Sequence, residues 1–355
     1  MTAPTTDSAM YQTMHRQPDD LRRVLDVGWG PAREAADLLA GAKRVFVTGV
    51  GTSYHASLVG VWLLRAAGAD ARAVLSFDFA TYPESVGVGA DDAVIVMAHT
   101  GVKTYSGVAM RRASEAGATV LSVGSLAAEH PGSRLVLRTV EREKSAAYTS
   151  SHLTAMTVLA QVATELGERR GAAGVAGFRG ALERLPDQVA GVLSREDEVR
   201  PIAREAVNRR VYAAGAGPNE ATATELVIKA REAAYGHVDG LAIEQFLHGP
   251  MVAVNADDLA VLVNVAGAAA ARVAQIAEVL DAVGAKLWLV GQPVPAVSAA
   301  SVFALPETPE MISPLLAVIP MQILAYQMAV EKGLNPDTFR RDNPVYKDAF
   351  GLLTL

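Results

Sequence analysis

Three closely spaced side chains, Glu225, Lys229 and Glu232, could do proton chemistry. They stand at i, i+4 and i+7, and at about 3.6 residues per turn that spacing puts all three on one face of a helix. Two carboxylates and an ammonium in a row can hold a proton and pass it on, as general acid–base catalysis requires. The same spacing also makes a plain solvated ladder of ion pairs, worth roughly a few tenths of a kcal/mol. Leu247-His248-Gly249-Pro250 follows and adds an imidazole to the group.

A helix must carry the three, and the preceding residues set one up. Residues 210–214 read as a strand and Gly215-Ala216-Gly217-Pro218-Asn219 as a loop. Strand, glycine loop and helix in succession open a βα unit suited to a phosphate or a sugar. The first half of the chain has two more such transitions. Residues 44–48 run into Gly49-Val50-Gly51-Thr52-Ser53, where two glycines permit a tight turn and Thr52 and Ser53 open a helix. Backbone N–H groups and two hydroxyls there suit an anion, although the hydroxyls could simply cap the helix. The apolar run Ala93-Val94-Ile95-Val96-Met97, as expected of a central parallel strand, ends in Ala98-His99-Thr100-Gly101-Val102-Lys103-Thr104-Tyr105-Ser106. Amides and hydroxyls in that loop donate, and Lys103 supplies positive charge.

Further strands are expected at 70–77, 117–123 and 134–137. Residues 1–10 read as a disordered polar stretch and residues 10–25 as a lead-in, with Pro18 starting a short charged helix. A separate helix follows at 32–39. Residues 167–180, rich in Gly, Ala and Arg, form the most linker-like stretch. The second half repeats the first. Val45 corresponds to Val211 (211 − 45 = 166), Asp91 to Asp257 (257 − 91 = 166) and Gly117 to Gly284 (284 − 117 = 167). The class is therefore α/β, with each half a three-layer unit around a parallel sheet. In the second copy the counterpart of the 99–106 loop is Val265-Ala266-Gly267-Ala268-Ala269, without a hydroxyl. One phosphate site per chain is expected, in the first half.

Size and composition agree with two domains: 355 residues, half of them apolar. A net charge of −6 gives no electrostatic case for nucleic acid. The chain has no cysteine, which excludes disulfides, thiolate metal sites and a cysteine nucleophile. No signal peptide or membrane span is read, and the location expected is cytoplasmic.

Taken together these motifs resemble the double sugar-isomerase (SIS) domain family, in particular the isomerase half of glutamine:fructose-6-phosphate amidotransferases. The similarity runs from about Met10 to Lys347. It rests on Gly51-Thr52-Ser53-Tyr54-His55-Ala56, on Met10 to Pro18, on Ser145-Ala146-Ala147-Tyr148-Thr149, and on Glu225, Lys229, Glu232 and His248-Gly249-Pro250 at the family's spacing. The resemblance implies two tandem flavodoxin-like SIS domains. A lead-in (1–30) would precede a phosphate-binding domain (31–175) and a catalytic domain (176–335), with a tail (336–355) over the site. It implies Glu232 as the base moving a proton between sugar carbons 1 and 2, supported by Lys229 and Glu225. His248 would assist ring opening in a neighbouring subunit's site, and Lys347 would form an imine with a keto sugar. Gly51, Thr52, Ser53, His99, Thr100, Gly101, Lys103, Ser106 and Ser145 would bind the sugar phosphate. No cofactor or metal is implied, because an enediol route needs only a base and electrostatic support.

The chain also departs from that family. Its phosphate loop is Ser-Gln-Ser-Gly-x-Thr, and here Ala98-His99-Thr100-Gly101-Val102-Lys103 stands in its place. The amidotransferases use a glutaminase half with a nucleophilic cysteine, and this chain has no cysteine. Isomerisation or deamination of a sugar or aminosugar 6-phosphate is therefore expected. Cleavage of a fructosamine 6-phosphate and non-catalytic phosphosugar sensing are the alternatives. The partners expected are the sugar phosphate, a second copy in at least a homodimer, and a separate source of ammonia where ammonia is used. The apolar stretch 311–330, long for one monomer's core, supports the dimer; no nucleic acid or membrane partner is expected.

Overall fold

A computed structural model of the chain describes residues 7–353. In its first half lie α1 (Ala9–Leu39), β1 (Val45–Gly49), α2 (Thr52–Ala66), β2 (Ala71–Leu75), α3 (Ser76–Thr81), α4 (Pro83–Val86), β3 (Ala93–Met97), α5 (Thr104–Glu115), β4 (Thr119–Gly124), β5 (Leu135–Arg138), α6 (Ser150–Arg170) and α7 (Phe178–Leu193). The second half holds α8 (Arg200–Ala206), β6 (Val211–Gly215), α9 (Glu220–Ala234), β7 (Val238–Ala242), α10 (Ile243–Leu247), β8 (Leu259–Asn264), α11 (Ala270–Ala282), β9 (Lys286–Gly291), β10 (Ser301–Ala304), α12 (Pro314–Glu331) and α13 (Pro344–Phe350).

The chain divides into two compact units. One comprises Arg16–Glu143, Ser150–Pro186 and Lys347–Leu355; the other comprises Met1–His15, Lys144–Thr149 and Asp187–Tyr346. They are called here the first and the second unit. The first holds a five-stranded parallel sheet in the order β2-β1-β3-β4-β5. The second holds a parallel sheet in the order β7-β6-β8-β9-β10, the same topology strand for strand. Central strands β1, β3, β6 and β8 are buried along their whole length, as their apolar sequences require. In each sheet the chain reverses its winding direction between two strands, β1 and β3 or β6 and β8. Ligands of open α/β sheets bind at the carboxyl ends of such a pair. In the first unit that position is flanked by the loops at 50–51 and 98–103, the two read above as anion loops.

Three local expectations fail. The lead-in is one 31-residue helix, α1, that contains Pro18 and Pro31. Its buried positions Met10, Met14, Gln17, Leu21 and Val24, then Ala32, Ala35 and Leu39, recur every three or four residues, with half-buried Gly28 bridging Val24 and Ala32. This continuous stripe favours the helix past each proline more than the lost hydrogen bond opposes it. The disorder expected of residues 1–10 does not hold at Ala9 and Met10, where α1 has begun and Met10 is fully buried; residues 1–6 lie outside the described residues. The linker-like stretch is packed: α6 extends to Arg170, and a Cβ on Gly174 would fall 2.4 Å from the Ala66 carbonyl oxygen.

Helix α12 is long and apolar enough to cross a membrane by length and composition, and 89% of it is buried in the chain. It packs on α9 and α8 of its own unit. Its apolar length is therefore accounted for by the core and does not call for a second subunit.

Candidate active site

Strand β6 delivers the chain to α9 through a turn that only glycine can make. A Cβ on Gly215 would lie 2.1 Å from the Asn219 carbonyl oxygen. Asn219 is itself buried; its Nδ2 donates to Ser313 Oγ at 2.8 Å and its Oδ1 accepts from Thr222 Oγ1 at 2.9 Å. The side chains of this loop are thus engaged in holding the start of α9.

On α9 the three charged residues share one face, as their spacing requires. Lys229 Nζ lies 3.5 Å from Glu225 Oε1 and 2.5 Å from Glu232 Oε2. The ladder is not solvated: the side chains of Glu225 and Lys229 are 0% and 1% exposed, and only Glu232 reaches the surface, at 16%. Burying ions costs several kcal/mol each unless they pair, and a well-packed apolar set is often at least as stable. Stability alone is therefore a poor account of this cluster. Chemically, a lysine-held carboxylate at the mouth of a buried ion pair can take and return a proton.

His248 follows α10 with its side chain 73% exposed and Nε2 3.4 Å from Glu244 Oε2. Glu244 is also bound by Arg272, whose guanidinium holds the carboxyl below its ordinary pKa. Gly249 has φ +137°, which a side chain would oppose, so the turn after His248 depends on glycine.

The two loops read from the sequence as anion loops lie in the first unit. Helix α2 is capped by Gly51, at φ +56°, without a side-chain hydrogen bond, so the Thr52 and Ser53 hydroxyls do not serve as its N-cap. In the loop after β3, Gly101 takes φ +96° and the Lys103 side chain is exposed. Two residues of this loop have other occupations. Ser106 is buried; its Oγ accepts from Lys103 N and donates to Lys103 O, each at 3.0 Å, and so ties the start of α5 together. His99 Nδ1 stands 3.4 Å from Thr139 Oγ1. Burial, aided by the charges of Arg142 and His130, pushes the His99 imidazole down to about 4, so it is neutral near pH 7. The positive charge at this loop belongs to Lys103 and Arg142. Arg142 is an exposed residue that motif matching passed over; a charge count on the segment after β5 was the available signal.

Ser145 and Lys347 lie away from both groups in the sequence. Ser145 is buried and accepts from Ala147 N at 3.2 Å, closing a local turn. Lys347 is exposed on α13.

Residues 206–332 match the SIS domain family. The chain is 31% identical over 337 residues to the glutamine–fructose-6-phosphate aminotransferase (isomerizing) of Pyrococcus horikoshii, a match that covers 92% of this chain and 56% of the relative. The chain thus spans about half the length of the curated relatives it matches. Among solved structures it superimposes on the C-terminal domain of glucosamine-fructose-6-phosphate aminotransferase from Francisella tularensis with a TM-score of 0.85, 17% identity, and 95% and 99% of the two chains covered. It also superimposes on glucosamine-6-phosphate deaminase from Thermotoga maritima with a TM-score of 0.72, 17% identity, and 93% and 97% covered. These two share its fold. Residues 206–332, which contain α9, His248 and the second sheet, are therefore a SIS domain, and the chain is homologous to the isomerizing aminotransferases over most of its own length.

Proposed function

We propose that the chain binds a sugar 6-phosphate and moves a proton between sugar carbons 1 and 2, as an aldose–ketose isomerase or an aminosugar-6-phosphate deaminase. The observation that carries this reading is the buried Glu225–Lys229–Glu232 cluster, open to solvent only at Glu232, within a SIS domain. In the reading, Glu232 abstracts the proton next to the open-chain carbonyl and returns it to the neighbouring carbon through an enediol. The Lys229 ammonium stays beside Glu232 through both transfers, and Glu225 fixes the ammonium from its other side. The loops at 50–53 and 98–103 hold the phosphate through backbone N–H groups, Thr52, Ser53, Thr100 and Lys103.

His248, exposed on the turn after α10, is available to act in the site of a second copy, and a homodimer is part of the proposal. The relatives that the chain matches are glutamine–fructose-6-phosphate aminotransferases, so ammonia is a candidate co-reactant or product. Incubation with a panel of sugar and aminosugar 6-phosphates, with and without ammonium, tests the reading by product mass and released ammonia. Conversion of a 2-keto or 2-amino hexose 6-phosphate supports it. Binding without turnover across the panel would instead identify a phosphosugar sensor.

A further inference from the structure

The duplication places one loop twice, and the two copies hold different things. In the first unit the loop after β3 ends at Thr104, the start of α5; in the second unit the loop after β8 ends at Ala270, the start of α11. The difference, 270 − 104 = 166, is the offset of the strands, so Gly101 corresponds to Gly267 and Val102 to Ala268.

The second copy of the loop is filled by the chain itself. Ala268 N donates to Glu310 Oε2 at 3.1 Å. A Cβ on Gly267 would fall 2.2 Å from the Glu310 carboxyl carbon, so glycine is what lets the carboxylate come this close. Ser313 fixes the residue that carries it: its Oγ donates to Glu310 O at 2.7 Å and accepts from buried Asn219 at 2.8 Å. Beside the loop lies a cavity of about 130 Å³, lined in part by Val265, Ala266, Gln292, Thr308 and the acidic Glu307. The Thr308 hydroxyl is buried without a hydrogen-bond partner in the structure. A carboxylate on a backbone N–H at the start of a helix takes the place an external anion would take.

In the aligned segments after β5 and β10 one pair of residues is opposite in charge. At the same offset Lys144 corresponds to Glu310 (310 − 144 = 166) and Arg142 to Thr308 (308 − 142 = 166). The first loop also carries Lys103, where the second has Ala269.

We propose that the loop after β8 is an anion site of the same design as the loop after β3, and that the Glu310 carboxylate is its built-in occupant. While Glu310 is in place the second copy takes no external phosphate. Replacing it opens a second site for a phosphate-sized anion. The comparison rests on the reading of the first loop as a phosphate site; the contacts of Glu310 do not.

Titration with inorganic phosphate at constant ionic strength tests this, comparing the parent chain with Glu310→Ala and Glu310→Ser. Each variant should bind one more phosphate per chain than the parent, and the Ala268 amide resonance should shift on titration. The double variant Lys103→Ala with Glu310→Ala should keep the gained site. Failure of the first-loop reading would therefore leave this result intact. A folded Glu310→Ala chain with the parent's stoichiometry and an unmoved Ala268 resonance would overturn the proposal. If the variants do not fold in chloride buffer, refolding in phosphate must rescue them, and failure of that rescue would overturn it equally.

Discussion

Lys229 Nζ lies 2.5 Å from Glu232 Oε2, with the lysine 1% and the glutamate 16% exposed. The pair is asymmetric: the ammonium is sealed inside the second unit and the carboxylate it holds reaches the surface. Glu225, wholly buried at 3.5 Å on the other side of the ammonium, completes a cluster with one outlet.

Removing the ammonium should expose the cost of this arrangement. Lys229→Met leaves two carboxylates against each other in the interior, one of them fully buried. Breaking a buried pair in this way typically destabilises by about 3–5 kcal/mol. Urea unfolding should show a lower midpoint by that equivalent. The double variant Lys229→Met with Glu225→Leu should recover part of it. Equal stability of Lys229→Met and the parent would mean that the ammonium offsets no buried charge.

Acid should weaken the fold through His99. Its folded value is about 4 against an ordinary 6.5, so between these pH values the unfolded chain binds more protons than the folded one. Stability then falls as the pH drops from about 6.5 towards 4, and this group has no effect above that window. A shift of that size corresponds to about 3 kcal/mol at the acid end. Burial lowers His130 in the same direction. His99→Gln should flatten the dependence of the denaturation midpoint on pH across this window. An unchanged slope would mean that the ring titrates freely in the folded chain.

Two glycines should respond differently to alanine. At Gly215 the new Cβ would meet backbone at 2.1 Å, so the turn into α9 must move, and folding and activity should both suffer. At Gly51 nothing lies within 4 Å, but φ is +56°. Gly51→Ala should cost only the strain of a φ +56°, ψ −134° backbone that a residue with a Cβ avoids, about 1–3 kcal/mol. Thermal melts of the two variants should separate them clearly; equal losses would contradict the two geometries.

The strands and the duplication were legible because buried parallel strands are nearly pure apolar runs, such as Ala93–Met97, and because the offset of 166 or 167 recurs. The spacing of Glu225, Lys229 and Glu232 was equally plain, but burial is decided by what packs on α9, chiefly α12, and spacing does not encode that. Pro18 misled because a proline is a local signal, whereas the stripe from Met10 to Leu39 that keeps α1 continuous is a long one. Ser106 matched a phosphate-loop position by type, yet a serine three residues into a helix start is as well suited to bonding the backbone of Lys103. The role of Glu310 was hidden for a related reason. Its partner Ala268 is brought to it by tertiary folding, and nothing in the local pattern of either residue signals an anion.

Phosphate recognition should depend on the first unit alone. Lys103→Ala should weaken inorganic phosphate or sugar-phosphate binding about tenfold, equivalent to about 1.4 kcal/mol, by removing a charge-assisted contact. Calorimetry on this variant should show that loss with an unchanged melting temperature, since the side chain is exposed. Unchanged affinity would move the phosphate away from this loop.

The central claim is that Glu232 moves the proton. A positioned general base contributes about 10²–10⁴-fold, so Glu232→Gln should slow solvent-deuterium incorporation at sugar carbon 2 by at least two orders of magnitude. Sugar-phosphate affinity, measured in parallel, should be nearly unchanged, because the loops proposed to hold the phosphate follow β1 and β3. Exchange that persists near the parent rate in the folded variant would contradict the account and leave the cluster on α9 a structural one.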